Sequence, residues 1–160
     1  MEAGAEFDIK PFGIRAMDSM RLEKSYRLIP REMSIEYSAY ESGLDRFVRL
    51  DKENDFIGKE ALTDWQERGA VNGFVTMEVL GVVDADARGS EAIYKDGMVV
   101  GRGTSGGYGW RCGKSLALGI VRKDLTAVGT ELEIEILGEK YKSIVIDESP
   151  FDSNNQCLRS

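Results

Sequence analysis

In Thr130-Glu131-Leu132-Glu133-Ile134-Glu135-Ile136, acidic and apolar side chains alternate without a break from Glu131 on. Successive side chains of a β-strand point to opposite faces, so this period of two sends Leu132, Ile134 and Ile136 toward a core and the glutamates toward water. Gly138-Glu139 then turns the chain into a second run, Tyr141 to Ile146. Working backward, Ser115 to Val121 reads as another strand. Ala92 to Tyr94 and Met98 to Val100 flank Lys95-Asp96-Gly97, whose Asp-Gly pair supplies the positive φ angles of a tight hairpin. Phe74 to Leu80 is the first strand of the set. Five or six short strands with close turns predict a small antiparallel barrel or sandwich.

Upstream of Gly69 the pattern is helical. Ile9, Phe12, Ala16 and Met20, with Met17 beside them, recur at three- and four-residue steps, the stripe of an amphipathic helix. Pro11 is placed in its first turn, where a missing amide hydrogen has no intrahelical partner, and the helix is expected to reach about Tyr26, with Ile29-Pro30-Arg31 ending it. Gly43 to Leu50 reads as a short extended segment. Gly58 to Arg68 reads as a second helix that Gly69 stops. Two or three short helices cannot shield their own stripes. The chain is therefore expected to be the back end of a longer polypeptide and, alone, to self-associate through the uncovered face.

The composition, 42% hydrophobic and 31% charged over 160 residues, is that of a globular chain. A net charge of −7 without a basic half argues against an electrostatic grip on nucleic acid or an anionic membrane. No stretch is apolar enough for a membrane helix, and the opening MEAGAEFDIK lacks the features of a signal peptide. The absence of histidine removes Ser-His and Cys-His nucleophilic pairs and imidazole metal sites, while Cys112 and Cys157 are too far apart in sequence for a CxxC pair. No catalytic residue and no metal ligand is assigned.

Two motifs compete for attention. Gly101-Arg102-Gly103-Thr104-Ser105-Gly106 spells GxGxxG, but more glycines and a strand follow where a dinucleotide site needs a helix, so it reads as a turn and bulge. Glu23 is the more informative position, because three residues beyond Met20 it puts a carboxylate on the face that otherwise reads as core. Two readings stand there. One is an exposed pair with Arg27, four residues on; the other is a partly buried carboxylate accepting two parallel hydrogen bonds from a flat ligand with adjacent N–H donors.

Phe12-Gly13-Ile14-Arg15-Ala16 followed by Arg21-Leu22-Glu23-Lys24 resembles a segment of the glycine-cleavage T-protein superfamily, in particular the C-terminal folate-binding region of dimethylglycine and sarcosine dehydrogenases. Ser42-Gly43-Leu44, Leu50-Asp51-Lys52, Asp55 to Leu62, Gly101 to Gly109, Lys114 to Val121 and Gly129-Thr130 resemble further motifs of that family in the same order. Ser25 stands where the family usually has glycine, Ile29-Pro30-Arg31 where it has a glycine-bearing turn, and Ala39-Tyr40 where a Thr-x-Pro stretch is common.

The resemblance implies an α+β chain: residues 1–69 as the helical end of an aminomethyltransferase folate-binding domain, and residues 70–160 as its C-terminal antiparallel β-barrel. It implies that Glu23 reads the pterin of tetrahydrofolate. Lys52 meets the anionic tail of folate or is a solvated lysine, and Tyr108 lines the pocket mouth or packs on the barrel rim. The partners implied are folate and the upstream part of the same polypeptide, with FAD held in a domain upstream of these residues. The longer polypeptide would transfer a one-carbon unit to tetrahydrofolate, coupled to oxidative demethylation of dimethylglycine or sarcosine, in the cytoplasm or a mitochondrial matrix. The piece alone is expected to be inactive and colourless. The competing expectation is a non-catalytic β-barrel binding or assembly module that keeps the fold only.

Overall fold

The computed structural model describes residues 2–159, and among these six antiparallel strands close into a barrel. They are β1 (Asn72–Val79), β2 (Ala92–Lys95), β3 (Met98–Gly109), β4 (Lys114–Arg122), β5 (Glu131–Ile136) and β6 (Glu139–Ile146), in the spatial order β1-β4-β3-β2-β5-β6, with β6 pairing back onto β1. The alternation read from β5 holds: Leu132, Ile134 and Ile136 are buried in a core with Val75, Met77 and Ile93. Its glutamates line the other face, where Glu135 Oε2 accepts the Tyr94 hydroxyl at 2.8 Å. Asp96 and Gly97 take positive φ angles of 51° and 78° in the two-residue β2–β3 turn.

Strand β4 is buried on both faces, and this is what seats the helical part. Its outward Leu116 and Leu118 form a second cluster with Leu22, packed by Phe74 and Ile146. Leu22 belongs to α1 (Ile14–Glu23), so the helix lies on the outside of β3 and β4. Helix α2 (Lys59–Arg68) runs between Gly58 and Gly69 as its sequence predicts.

Four expectations are corrected. Helix α1 starts at Ile14, capped by Gly13, and leaves Pro11 outside; it ends at Glu23 rather than near Tyr26. The end is a chain reversal at Ser25, φ 53°, in which the Tyr26 N–H donates to Arg21 O and the Ser25 N–H to Leu22 O. The apolar stripe also faces away from the barrel: Phe12, Met17 and Met20 are exposed, and the face carrying Ser19 and Leu22 packs inward. The segment Gly43 to Leu50 is not extended. A 3-10 turn, Asp45–Phe47, satisfies its backbone locally, since both edges of β1 are already taken and a closed barrel offers no free edge. The GxGxxG run is not a turn but the middle of β3; the bulge expected there is present as a register shift against β4 between Gly103 and Ser105.

Ser25 explains how the chain tolerates losing glycine at that reversal. It is fully buried, and its Oγ shares a 2.8 Å hydrogen bond with Thr76 Oγ1 and accepts the Ser149 N–H at 3.0 Å. Ser25→Ala keeps the left-handed strain and strips both bonds, so it is expected to cost about 1–3 kcal/mol in urea unfolding. Ser25→Gly should cost less, because glycine adopts that φ without penalty. Equal losses for the two variants would show that the side-chain bonds, and not the backbone, set the whole effect.

Candidate functional site

The end of α1 meets the tip of the β3–β4 hairpin, and Glu23 sits at the junction. Its side chain is 2% exposed. Oε1 accepts the Arg111 N–H at 2.5 Å and the Cys112 N–H at 3.4 Å, both from the hairpin tip. The carbonyl of the same residue accepts the Phe151 N–H at 3.1 Å, so the segment after β6 closes the other side. Gly109 permits this approach: a Cβ there would lie 3.1 Å from Glu23 Cγ and 2.9 Å from Leu116 Cδ1. Among the described residues no hydrogen bond reaches Oε2, and it is not one of the fully buried unpartnered atoms. Oε2 is thus the carboxylate oxygen that the protein itself leaves without a hydrogen bond, although Glu23 lines none of the cavities found among the described residues.

The exposed pairing of Glu23 with Arg27 does not form. Arg27 turns instead to Glu148, to the carbonyls of Ser42 and Gly43, and over the Phe74 ring at 3.8 Å.

Tyr108 lies one residue before Gly109 on β3, and its carbonyl accepts Ser19 Oγ of α1 at 2.7 Å. Its ring meets Trp110 edge-to-face with centroids 5.0 Å apart. Trp110 is 79% exposed at the hairpin tip and was invisible to the sequence reading, which offered no pattern for it. Glu23 and Tyr108 are thus brought to one junction. Lys52 is not: it is exposed on the loop before α2, where its carbonyl accepts Lys59 Nζ at 2.9 Å, and it touches neither residue.

A second buried carboxylate stands behind the first. Glu32 is fully buried, with Oε1 accepting the hydroxyls of Thr104 and Ser105 at 2.6 Å each, and Oε2 accepting the Leu28 N–H at 2.8 Å. Arg21 Nη1 approaches it at 3.8 Å while the same guanidinium holds Asp18 and the Tyr26 carbonyl. Glu32 therefore locks the loop after α1 to β3. The signal that could have exposed it was Thr104-Ser105, two adjacent hydroxyls in an otherwise apolar and glycine-rich strand.

Burial pushes the Cys112 thiol above its ordinary range; the Glu23 carboxylate adds to this and Lys114 opposes it. A raised thiol pKa means less thiolate at a given pH. Iodoacetamide is expected to alkylate Cys112 more slowly than the exposed Cys157 at pH 8, with its rate rising at higher pH. Glu23→Gln should speed the reaction at Cys112, and a thiol reacting as fast as Cys157 in the unaltered protein would contradict the assignment. Chemically, the junction offers a buried carboxylate with one oxygen held by backbone N–H donors. Among the described residues no helix is long and apolar enough to cross a membrane.

Residues 71–152, just over half of the chain, match the family model of the glycine cleavage T-protein C-terminal barrel domain, and residues 1–52 match that of the GCVT N-terminal domain. Over 148 residues, 92% of its length, the chain is 41% identical to the mitochondrial dimethylglycine dehydrogenase of Homo sapiens but spans only 17% of that relative. It is 32% identical over 148 residues to the aminomethyltransferase of Clostridium botulinum (strain Okra / Type B1), spanning 40% of it. The crystal structure of the glycine cleavage system aminomethyltransferase T from Bartonella henselae matches 94% of this chain and 42% of its own, with a TM-score of 0.85 at 22% identity, which establishes the shared fold. With its closed barrel, its two family matches and these relatives, the chain belongs to the glycine cleavage T-protein family.

Proposed function

We propose that this chain supplies part of a tetrahydrofolate pocket within a longer aminomethyltransferase-like polypeptide, with residues 1–69 ending the folate-binding domain and 70–160 forming its barrel. The observation that carries the reading is Glu23, a carboxylate held almost wholly out of water with one oxygen tied to the protein and the other open. A pterin edge presents a ring N–H beside an exocyclic amine, and both are donors. Oε2 accepts the first. Oε1 accepts the second by giving up the long 3.4 Å bond from Cys112, while keeping the short one from Arg111. The site therefore fits a donor–donor edge and disfavours an acceptor.

Tyr108 is assigned to the mouth of the pocket and Lys52 to the anionic tail of folate, both only once upstream structure completes the pocket. When bound, tetrahydrofolate accepts the one-carbon unit. The oxidative demethylation of dimethylglycine or sarcosine that would feed it, and its FAD, are placed in upstream sequence and on no residue of this chain. The test is calorimetric titration of a stable reduced-folate analogue into the polypeptide extended through its upstream half. Saturable binding that depends on Glu23 supports the reading. Binding indifferent to Glu23 overturns it.

A further inference from the structure

Three arginines line a cavity of about 230 Å³ that Ser19 and Leu22 of α1 share with Gly106 to Tyr108 of β3. Arg15 comes from the first turn of α1, Arg31 from the loop after it, and Arg88 from the loop between β1 and β2; Leu22, Gly107 and Tyr108 complete the floor and one wall. Arg31 and Arg88 also border an adjoining cavity of about 380 Å³ that reaches Ser90 and Arg102.

The acids nearby are mostly spoken for. Asp18 is held by Arg21, and Glu36 by Arg102. Among the described residues, Arg15, Arg31 and Arg88 form no ion pair, and only Asp86 on the cavity wall is likewise unpaired. In a chain of net charge −7 this is a local surplus of positive charge.

The backbone that presents two of these arginines is clamped from within. Glu32, next to Arg31, is the fully buried carboxylate locked to Thr104 and Ser105. Glu91 does the same for the other loop, accepting the Arg88 N–H at 2.6 Å and the Gly89 N–H at 2.7 Å, while the Ser90 N–H donates to the Gly103 carbonyl and the Gly103 N–H to the Glu91 carbonyl, each at 2.8 Å, tying the loop to β3. Arg31 Nη1 donates to the Arg88 carbonyl at 3.0 Å, which ties the two loops together. Its remaining donors are unclaimed among the described residues. A guanidinium fork matches the paired oxygens of carboxylate or phosphate, and three forks on one cavity suit an anion bearing more than one charge.

We infer that this double cavity is a binding site for a multivalent oxyanion, gripped by Arg31 and Arg88 with Arg15 at one end. Glu23 lines neither cavity, and Tyr108 is the one residue common to this site and the pterin reading, so titrating the arginines tests this site apart from that one. The arginines are exposed, so binding is strongest at low ionic strength. Isothermal titration of citrate, and in a second arm of inorganic phosphate, into the protein at low salt tests it. At least one of the two should bind one-to-one, with the Arg31→Gln/Arg88→Gln double variant weakened roughly 10- to 100-fold. Arg88→Lys, which keeps the charge and loses the fork, should fall between. Arg49→Gln, which removes an exposed arginine paired with Asp51, should leave the affinity unchanged. Binding of citrate alone or phosphate alone supports the site and identifies its oxyanion. Absence of binding of both at millimolar concentration, or equal affinity in Arg88→Lys, the folded double variant and the unaltered protein, overturns it.

Discussion

Glu23→Gln in the upstream-extended polypeptide is expected to weaken binding of a stable reduced-folate analogue by about 30- to 1000-fold, equivalent to 2–4 kcal/mol. Glutamine keeps one oxygen, and the short Arg111 N–H bond will claim it, because leaving that buried donor unmet costs more than a partly solvated one. The amide NH2 then stands where Oε2 was, and faces the donors of the pterin edge with another donor. A charged hydrogen bond becomes a repulsive contact. Since the anchor to the hairpin survives, the unfolding midpoint should stay close to that of the unaltered protein, which separates a binding defect from a folding one. Lys52→Ala, which removes only an exposed charge that would meet the anionic tail of folate, should shift affinity by less than about tenfold. A Glu23→Gln protein with unchanged affinity would reduce Glu23 to a cap for the hairpin tip.

Glu32→Ala is expected to lower stability by about 3–5 kcal/mol, the range for removing one member of a buried charged network. The substitution deletes three hydrogen bonds of 2.6–2.8 Å at once. Thr104 can fall back on the Leu118 carbonyl, to which it already donates at 3.1 Å. The Leu28 N–H has no such second acceptor among the described residues, and the Arg21 guanidinium loses a neighbouring countercharge. Glu32→Gln retains an acceptor and the volume, and should cost about 1–3 kcal/mol. Urea denaturation reads both as a lower midpoint at unchanged slope. A loss under about 1 kcal/mol for the alanine variant would mean that the loop after α1 is not locked to β3 through this carboxylate.

The barrel was legible because its strands obey a local rule. Alternation in β5, the Asp96-Gly97 turn and the apolar run of β4 each report on the residue itself and its immediate neighbours. Strand number and short turns left a barrel or a sandwich open, and only the family resemblance pointed to the closed barrel. Helix α1 was read less well because periodicity says that a stripe exists but not which partner it meets. Phe12, Met17 and Met20 point away from the barrel, while the single side chain Leu22 makes the contact that matters. Its last turn was misplaced for a related reason: Ser25 adopts a conformation normally left to glycine, stabilised by Thr76 and Ser149, which lie 51 and 124 residues away in sequence.

The same division runs through the candidate site. Glu23 was found because a carboxylate on an apolar face is anomalous within its own helix. Its partners at Arg111 and Cys112 are 88 and 89 residues distant and act through backbone N–H groups, which carry no side-chain signature. Glu32 and Trp110 had no local anomaly at all. The arginine-lined cavity is assembled from three separate segments and becomes visible only when α1 is laid on β3.

The central claim, that Glu23 recognises the donor edge of a pterin, is tested most directly by a double-mutant cycle between protein and ligand in the upstream-extended polypeptide. The affinities of a reduced-folate analogue and of its counterpart lacking the exocyclic amine are measured by calorimetry against the unaltered protein and against Glu23→Gln. If carboxylate and amine meet, removing the amine costs heavily with Glu23 present and little once it is glutamine, leaving a coupling of about 1–3 kcal/mol. Additive effects, with coupling within about 0.5 kcal/mol of zero, would show that the two groups never touch and would contradict the account.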